Sequence, residues 1–263
     1  MTGMADAADA TPASQRVRTE RHGHVLVITL RREAKRNAID RAMADALELA
    51  FNELDDDPDL YVGVLSGGNR DFCAGSDLNA KGDYVTPRGG EYGLIRRRRR
   101  KPLVAAVEGR ALGGGFEVVL ACDMVVAADN ALFGLPEVAI GVVPTCGALF
   151  RAPRALPANV ARELVLTGDP IDAARAHVLG FVNVLTPAGG TLAAALSLAQ
   201  RIAAHAPLSV QHSLRAVNDV LAADDLHGWA ATEAAFETIK HSEDLQEGFK
   251  AFFGKRAPVW RSR

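Results

Sequence analysis

Cysteine and aromatic residues are scarce in this 263-residue sequence, and it has no long apolar run. The three cysteines, Cys73, Cys122 and Cys146, show neither a CxxC pair nor a Cys/His spacing typical of a metal site, which argues against a disulfide framework and favours a reducing compartment. No apolar stretch approaches the roughly 18 residues of a membrane-spanning helix. We therefore expect a cytoplasmic protein without a bound metal.

An excess of charge of one sign is also missing, since 30 lysines and arginines are balanced by 32 aspartates and glutamates. No global field therefore favours binding to nucleic acid or to a membrane surface. Hydrophobic residues make up 48% of the chain, which is enough for a large core in one large domain or two small ones. Residues 1–15 are small, polar and alanine-rich, without the features of a signal peptide, and they predict a disordered lead-in.

Short β-branched runs alternate with helical patterns over residues 16–190, which we expect to form the core with the substrate site. Strands are predicted at 24–30, 61–65, 103–107 and 124–127, and helices at 41–54 and 116–121. Asp40 is the expected N-cap of the first helix. A repeated β-β-α rhythm with buried strands is typical of the α/β class.

The pattern becomes almost wholly helical from Thr191 onward. Four helices are predicted, at 191–205, 207–222, 226–241 and 242–253. Pro207 suits the start of the second of these helices. We expect residues 191–263 to form a helical region that packs on another subunit, and the alternative is a cap on the chain's own core.

Two glutamates twenty positions apart, Glu117 and Glu137, carry the strongest chemical signal. Glu117 ends the segment ALGGGFE, whose glycines can expose backbone N–H groups at the start of a helix, and Glu137 ends the proline-stiffened segment FGLPE. Two carboxylates beside such donors can steer one water molecule and stabilise a negative oxygen, as the addition of water to an activated double bond requires. The alternatives for single glutamates are a helix N-terminal acid and a surface acid.

Further motifs follow one another along residues 22–260. They are KRNA at 35–38, FCAGSDL at 72–78, KPLVAAVEG at 101–109, the segments 111–123 and 130–137, LTG at 166–168, LGFVN at 179–183, SED at 242–244, EG at 247–248 and KR at 255–256. In this order they resemble the enoyl-CoA hydratase/isomerase (crotonase) superfamily. The resemblance implies a crotonase-type spiral of β-β-α turns with a C-terminal helical oligomerisation region, and a homotrimer or dimer of trimers. It also implies an acyl-CoA thioester substrate, so that coenzyme A is part of the substrate and no separate cofactor is needed.

The resemblance also implies roles for individual residues. The backbone amides of Ser76 and Gly114 would form an oxyanion hole. Glu117 and Glu137 would hold a water molecule, one taking a proton as the oxygen attacks C3 and the other giving a proton to C2. Contacts to the substrate or to its coenzyme A are implied for Arg36, Ala38, Ala74, Asp77, Leu78, Pro144 and Lys255. Isomerase members usually keep only the second acid, so the presence of both favours hydration or dehydration. The alternative for residues 113–115 is that they simply form a tight turn.

Two departures and one finer resemblance concern the acyl group. Thr145 and Cys146 stand where hydratases of the superfamily commonly have a glycine-rich stretch, and Ser76 stands where alanine is common. The segments GGFE, ADNA, LPE, KHSED and KRAPVW resemble the carnitinyl-CoA dehydratase branch, which interconverts carnitinyl-CoA with crotonobetainyl-CoA and water. The quaternary ammonium of that substrate would contact an aromatic face or a carboxylate. The candidates for this contact are Tyr84, Glu91 and Tyr92.

Six consecutive cations occupy residues 96–101. The alternatives are a solvated surface, partial contacts to the coenzyme A phosphates, whose geometry suits arginine, or an RNA-binding surface.

Neither Cys73 nor Cys146 has a supporting histidine motif, so both are expected to be packed residues. The sequence thus predicts an acyl-CoA hydratase/dehydratase, a hydro-lyase. The other hypotheses are an enoyl-CoA Δ-isomerase and an RNA-binding protein on the same scaffold.

Overall fold

The computed structural model describes residue 12, residues 15–80 and residues 83–261. The lead-in predicted for residues 1–15 lies outside these residues, apart from residues 12 and 15. The strands are β1 (Val17–His22), β2 (Val25–Leu30), β3 (Val62–Ser66), β4 (Val85–Thr86), β5 (Gly90–Glu91), β6 (Leu103–Val107), β7 (Arg110–Leu112), β8 (Met124–Ala128), β9 (Leu132–Gly134), β10 (Ile171–Asp172) and β11 (Val184–Thr186). The helices are α1 (Arg41–Asp56), α2 (Gly114–Leu120), α3 (Ala148–Ala155), α4 (Ala158–Thr167), α5 (Ala173–Val178), α6 (Thr191–Ala203), α7 (Pro207–Leu221), α8 (Asp225–Ile239) and α9 (Glu243–Phe253).

The larger sheet has six strands in the order β1-β2-β3-β6-β8-β11. β1 is antiparallel to β2, and the other neighbours are parallel. Every residue of β3 and β6 is buried, because α6 covers one face of the sheet and the main core covers the other. Burial on both faces explains why these strands are continuous apolar runs rather than alternating patterns.

A second sheet with the order β10-β9-β7 gives the chain its spiral path. β6 is followed by β7 and then α2, and β8 is followed by β9 and then a 3-10 helix, Pro136–Ile140. Each such turn contributes one strand to each sheet before its helical segment. Isolated bridges from Ile39 to Ser76 and from Cys73 to Ala111 add parallel pairing between other turns. The predicted α/β fold of β-β-α turns is therefore confirmed.

Local signals for the helices are also confirmed. The Asp40 side chain accepts a 2.9 Å hydrogen bond from the amide of Met43 and caps α1. α6 to α9 begin and end within two residues of the predicted bounds. α7, which the structure describes in full, buries none of its residues. Its apolar side chains are consequently open to solvent in the single chain, with Leu208 70% exposed and Val220 76% exposed.

The basic run, residues 96–101, is an irregular segment in which every second cation binds a group inside the protein. Arg97 forms an ion pair with Glu48 at 2.7 Å, and Arg99 forms one with Asp123 at 2.6 Å. The Nζ of Lys101 donates to two backbone carbonyl oxygens at the end of α1. A wholly solvated surface is therefore the wrong interpretation for these three residues, because partners in α1 and before β8 bind them.

Candidate active site

The start of α2 lies at the centre of the predicted site. Gly113 precedes the helix with φ +55° and ψ −128°, a conformation that favours glycine. An ideal Cβ on Gly115 would lie 2.2 Å from the carbonyl oxygen of Cys73, so a side chain would prevent this close approach. The helix places Glu117 in its first turn, where only 2% of the residue is exposed. The glycine run thus carries an acid into the interior.

The Glu117 carboxylate is held by backbone N–H groups of a distant segment. Its Oε1 accepts hydrogen bonds from Cys146 at 2.8 Å and from Ala148 at 3.0 Å. Burial raises the pKa of Glu117 to about 7, although the two N–H donors act in the opposite direction. Near neutral pH this group can therefore gain or lose a proton, as a general acid or base must.

Glu137 approaches the same turn from the 3-10 helix Pro136–Ile140. An ideal Cβ on Gly113 would lie 3.2 Å from its Oε1. Its Oε2 is buried and has no hydrogen-bond partner among the residues that the structure describes. Burial, followed by the charge of Glu117, raises the pKa of Glu137 to about 8. The structure thus brings the two predicted acids together in one site.

The two amides predicted to form an oxyanion hole belong to adjacent segments. An ideal Cβ on Gly75, which has φ +94°, would lie 3.1 Å from the nitrogen of Gly114. The bridge between Ile39 and Ser76 uses the carbonyl of Gly75 and the amide of Asp77. Within the described ranges, neither the Ser76 amide nor the Gly114 amide donates a hydrogen bond. Both N–H groups are therefore available to an oxygen of a ligand.

Tyr92 lies beside these amides, although the sequence suggests it only as a contact for an ammonium group. Its hydroxyl is 2.6 Å from Ser76 Oγ. It also packs against Gly114, where an ideal Cβ would lie 2.4 Å from the phenol oxygen. The site therefore contains a hydroxyl pair in addition to two acids and two amides.

The residues predicted to meet a quaternary ammonium do not form a cage in the described conformation. The rings of Tyr84 and Tyr92 are 5.9 Å apart and tilted by 44°. Tyr92 is 3% exposed, so its faces are covered by the protein. The carboxylate of Glu91 forms an ion pair with Arg96 at 3.1 Å.

Four of the predicted substrate contacts lie together beside the candidate hole. The amide of Ala74 donates to the carbonyl oxygen of Arg36 at 3.0 Å, which places the KRNA and FCAGSDL segments side by side. Arg36 is exposed, with φ +50°, and Leu78 is 36% exposed. Ala38 and Ala74 are partly buried.

The other three predicted contacts differ in their surroundings. The carboxylate of Asp77 is buried, pairs with Arg32 at 2.8 Å and accepts from the amide of Asn79 at 3.0 Å, so it is engaged inside the protein. Pro144 is buried in the segment that leads to the amides holding Glu117. Lys255 is exposed beyond α9, and no hydrogen bond joins it to the rest of the site within the described chain.

Sequence reasoning missed the groups that support Glu117. Residues Cys146 and Ala148 contribute backbone N–H groups, which no residue type signals. Arg151 in α3 is also missed; its Nη2 donates to the carbonyl of Ile95 at 2.7 Å, and its charge opposes the effect of burial on the pKa of Glu117. A charged residue in an amphipathic helix gives no sign that its side chain will be partly buried beside the site.

Among the described residues, no three His, Cys, Asp or Glu side chains are grouped so that they could hold a metal ion. No helix in that part of the chain has the length and apolar character needed to cross a membrane.

Comparison with known proteins gives consistent matches over nearly the whole chain. The sequence model of the family described as enoyl-CoA hydratase/isomerase matches residues 20–263. The chain is 37% identical to enoyl-CoA hydratase EchA19 of Mycobacterium tuberculosis, over 93% of this chain and 96% of that protein. It is 38% identical to a carnitinyl-CoA dehydratase of Salmonella typhi, over 95% of this chain and 100% of that protein. The solved structure of a carnitinyl-CoA dehydratase from Mycobacterium avium 104 matches with a TM-score of 0.89 and 43% identity, covering 94% of this chain and 99% of that one.

Proposed function

Because this chain belongs to the enoyl-CoA hydratase/isomerase family and is an acyl-CoA hydratase/dehydratase, we propose that Glu117 and Glu137 are its catalytic base and acid. The observation that carries this proposal is the pair of acids beside the turn at Gly113, with pKa values raised to about 7 and about 8. Two acids whose pKa values differ can hold one proton between them near neutral pH.

Each acid has surroundings that suit one role. The Oε1 of Glu117 accepts two backbone N–H bonds, which favour the ionised form. The Oε2 of Glu137 has no partner among the described residues, and its pKa is the higher of the two. In the hydration direction we therefore assign Glu117 as the carboxylate that takes a proton and Glu137 as the acid that gives one.

Hydration follows from these assignments. The oxygen of water forms a bond to C3 while the Glu117 carboxylate takes a proton from that water. The C2=C3 electron pair moves toward the thioester, whose oxygen becomes negative and accepts hydrogen bonds from the amides of Ser76 and Gly114. Loss of one such donor costs about 2.7–4 kcal/mol. The carbonyl then re-forms as C2 takes the proton of Glu137, and dehydration is the reverse.

We further propose that the acyl group carries a quaternary ammonium, as carnitinyl-CoA does. Support comes from the relatives that bear the name carnitinyl-CoA dehydratase, at 38% and 43% identity over nearly full length. The test is a panel of purified enoyl-CoA thioesters, containing crotonobetainyl-CoA, crotonyl-CoA and longer linear chains, followed by the loss of conjugated-thioester absorbance. The highest kcat/KM is expected for crotonobetainyl-CoA. A better linear substrate would refute the ammonium proposal and leave the hydratase mechanism intact.

A homotrimer, or a dimer of trimers, is the proposed assembly. Support comes from the apolar side chains that the single chain exposes on α7 and at the start of α8. These are Leu208, Val217, Val220, Leu221 and Leu226, which are 54–84% exposed. Exposed apolar side chains concentrated in one region of the chain commonly mark a protein–protein interface.

A further inference from the structure

Tyr92 occupies an unfavourable backbone conformation in the middle of the site. Its φ is +58°, in the left-handed region that a bulky residue rarely adopts, and only 3% of the residue is exposed. Such strained residues persist only when their surroundings hold them, and they concentrate at functional positions. The strained conformation of Tyr92 therefore indicates that contacts with the rest of the fold hold it in place and that its side chain has a role in the site.

The loop that carries Tyr92 is anchored on α1 by one buried carboxylate. Glu48 accepts hydrogen bonds from Thr86 Oγ1 at 2.7 Å and from the amide of Gly89 at 3.0 Å. Arg97 of the basic run binds the same carboxylate at 2.7 Å. These bonds lie on both sides of Tyr92 in the chain, so the direction of its side chain is set by the fold.

The phenol oxygen of Tyr92 lies next to both residues whose amides form the proposed hole. It is 2.6 Å from Ser76 Oγ, and a Cβ on Gly114 would lie 2.4 Å from it. Burial, followed by nearby Cys146 and Glu117, raises the pKa of Tyr92 well above its usual value. The hydroxyl is therefore protonated near neutral pH and remains a hydrogen-bond donor.

We propose that Tyr92 is a further catalytic residue whose O–H donates a hydrogen bond to the thioester oxygen as negative charge develops there. Either oxygen of the hydroxyl pair can be the donor, so Ser76 can donate to the phenol oxygen while the phenol proton turns to the ligand. A donor chain of this kind strengthens the terminal hydrogen bond. The inference rests on the proposed oxyanion hole, because Tyr92 acts on the same oxygen as the two amides.

The experiment measures the thioester carbonyl directly. Butyryl-CoA has no double bond and cannot be hydrated, so it can be bound with a ¹³C-labelled carbonyl and studied by isotope-edited infrared spectroscopy. Hydrogen-bond donors lower the stretching frequency of this carbonyl. We expect a downshift in the wild type and a smaller downshift in Tyr92→Phe, which keeps the ring and removes only the hydroxyl.

Another tyrosine of the chain provides a matched control. Tyr61→Phe removes a hydroxyl from a ring that stacks on His24 in a different part of the fold. This variant should keep the wild-type frequency of the bound carbonyl.

Kinetics give a second readout with the best substrate of the panel. Loss of an oxyanion-hole donor lowers kcat by about 10²–10³-fold. Tyr92 would share the charge with two amides, so we expect a loss of roughly 10-fold in kcat for Tyr92→Phe, with a smaller change in KM. A residue that only fills space would not change the carbonyl frequency when its ring is kept.

Two outcomes are distinguishable. An unshifted carbonyl in the wild type would overturn the proposed hole itself, and the inference with it. A normal downshift in the wild type that persists unchanged in Tyr92→Phe would overturn only the role of Tyr92.

Discussion

The carboxylate of Glu117 accepts a 2.8 Å hydrogen bond from the backbone amide of Cys146, 29 positions further along the chain. A second amide, from Ala148, reaches the same oxygen at 3.0 Å. Because these contacts come from the backbone, they do not depend on which side chain position 146 carries. The departure of residues 145 and 146 from a glycine-rich stretch is therefore compatible with the proposed geometry.

Replacement of Cys146 by Ala should leave most of the activity. The amide that binds Glu117 is retained, and the thiol is buried with a raised pKa, so it is not a nucleophile at neutral pH. We expect kcat within about threefold of the wild type, with a stability loss of about 1 kcal/mol for the smaller side chain. Steady-state kinetics and thermal unfolding provide the check. A loss of activity of two orders of magnitude would assign a chemical role to the thiol.

Removal of either proposed acid should abolish most turnover. Glu117→Gln and Glu137→Gln keep the shape of the side chain but cannot exchange a proton, so kcat should fall by at least roughly 10²-fold with little change in coenzyme A binding. Glu163→Gln, which alters an exposed ion pair between Glu163 of α4 and Arg175 of α5, is the matched control and should retain activity. Near-normal turnover in both site variants would contradict the mechanism. Inactivity of Glu137→Gln alone would favour an isomerase.

Hydration should have a bell-shaped pH dependence in kcat/KM. With pKa values of about 7 and about 8, Glu117 becomes protonated below the first value and Glu137 ionises above the second. Activity should therefore fall on both sides of a maximum between them. The apparent values belong to the coupled pair rather than to single residues. A profile that is flat across this range would show that the two acids do not control the reaction.

The trimethylammonium group should matter to the rate. A tert-butyl isostere of crotonobetainyl-CoA keeps the bulk and loses the charge, and an aromatic or carboxylate contact to that charge is worth about 0.5–2 kcal/mol. We expect kcat/KM to fall several-fold for the isostere and further for crotonyl-CoA, which loses both charge and bulk. Equal rates for all three thioesters would contradict an ammonium-specific pocket.

Light scattering of the purified chain should give a trimer or a multiple of three of the 27.9 kDa protomer. The physical reason is the exposed apolar surface of α7, which a second subunit would remove from water. A stable monomer at micromolar concentration would contradict this assembly. It would also mean that these helices remain open to solvent or fold back on their own core.

Local sequence was sufficient for the elements whose signals lie within one segment. The largely apolar runs of β2, β3, β6 and β8 predict buried strands because a short continuous apolar run, without alternation of polar residues, is typical of a strand that is covered on both faces. Asp40 marks the start of α1 because its side chain caps an amide only three residues away. The two acids stood out as candidates because each ends a segment in which glycine or proline constrains the backbone, and their proposed roles came from the family resemblance.

The short strands and the inward side chains depended on tertiary structure. β7, β9 and β10 contain only two or three residues each and are stabilised by pairing with distant segments, so they leave no periodic pattern. Arg97 is the same residue type as its exposed neighbours in the sequence. Its side chain is buried because it forms ion pairs with Glu48 and Asp55 of α1. Charge patterning alone cannot distinguish a cation with a buried partner from one in water.

The sequence by itself determined the order of the main strands and helices, because these follow from residue types and short spacings, and its family motifs singled out the two acids as candidates. Tertiary structure decided the surroundings on which their proposed roles depend. The raised pKa of each acid comes from burial, and the donors to Glu117 come from a segment 29 or more positions away. The hydroxyl of Tyr92 reaches Ser76 from a loop that Glu48 anchors on α1, and Tyr92 has there a backbone conformation that tyrosine disfavours. Contacts between distant segments therefore determine the pKa values and hydrogen-bond partners of these residues, which local sequence can identify only as candidates.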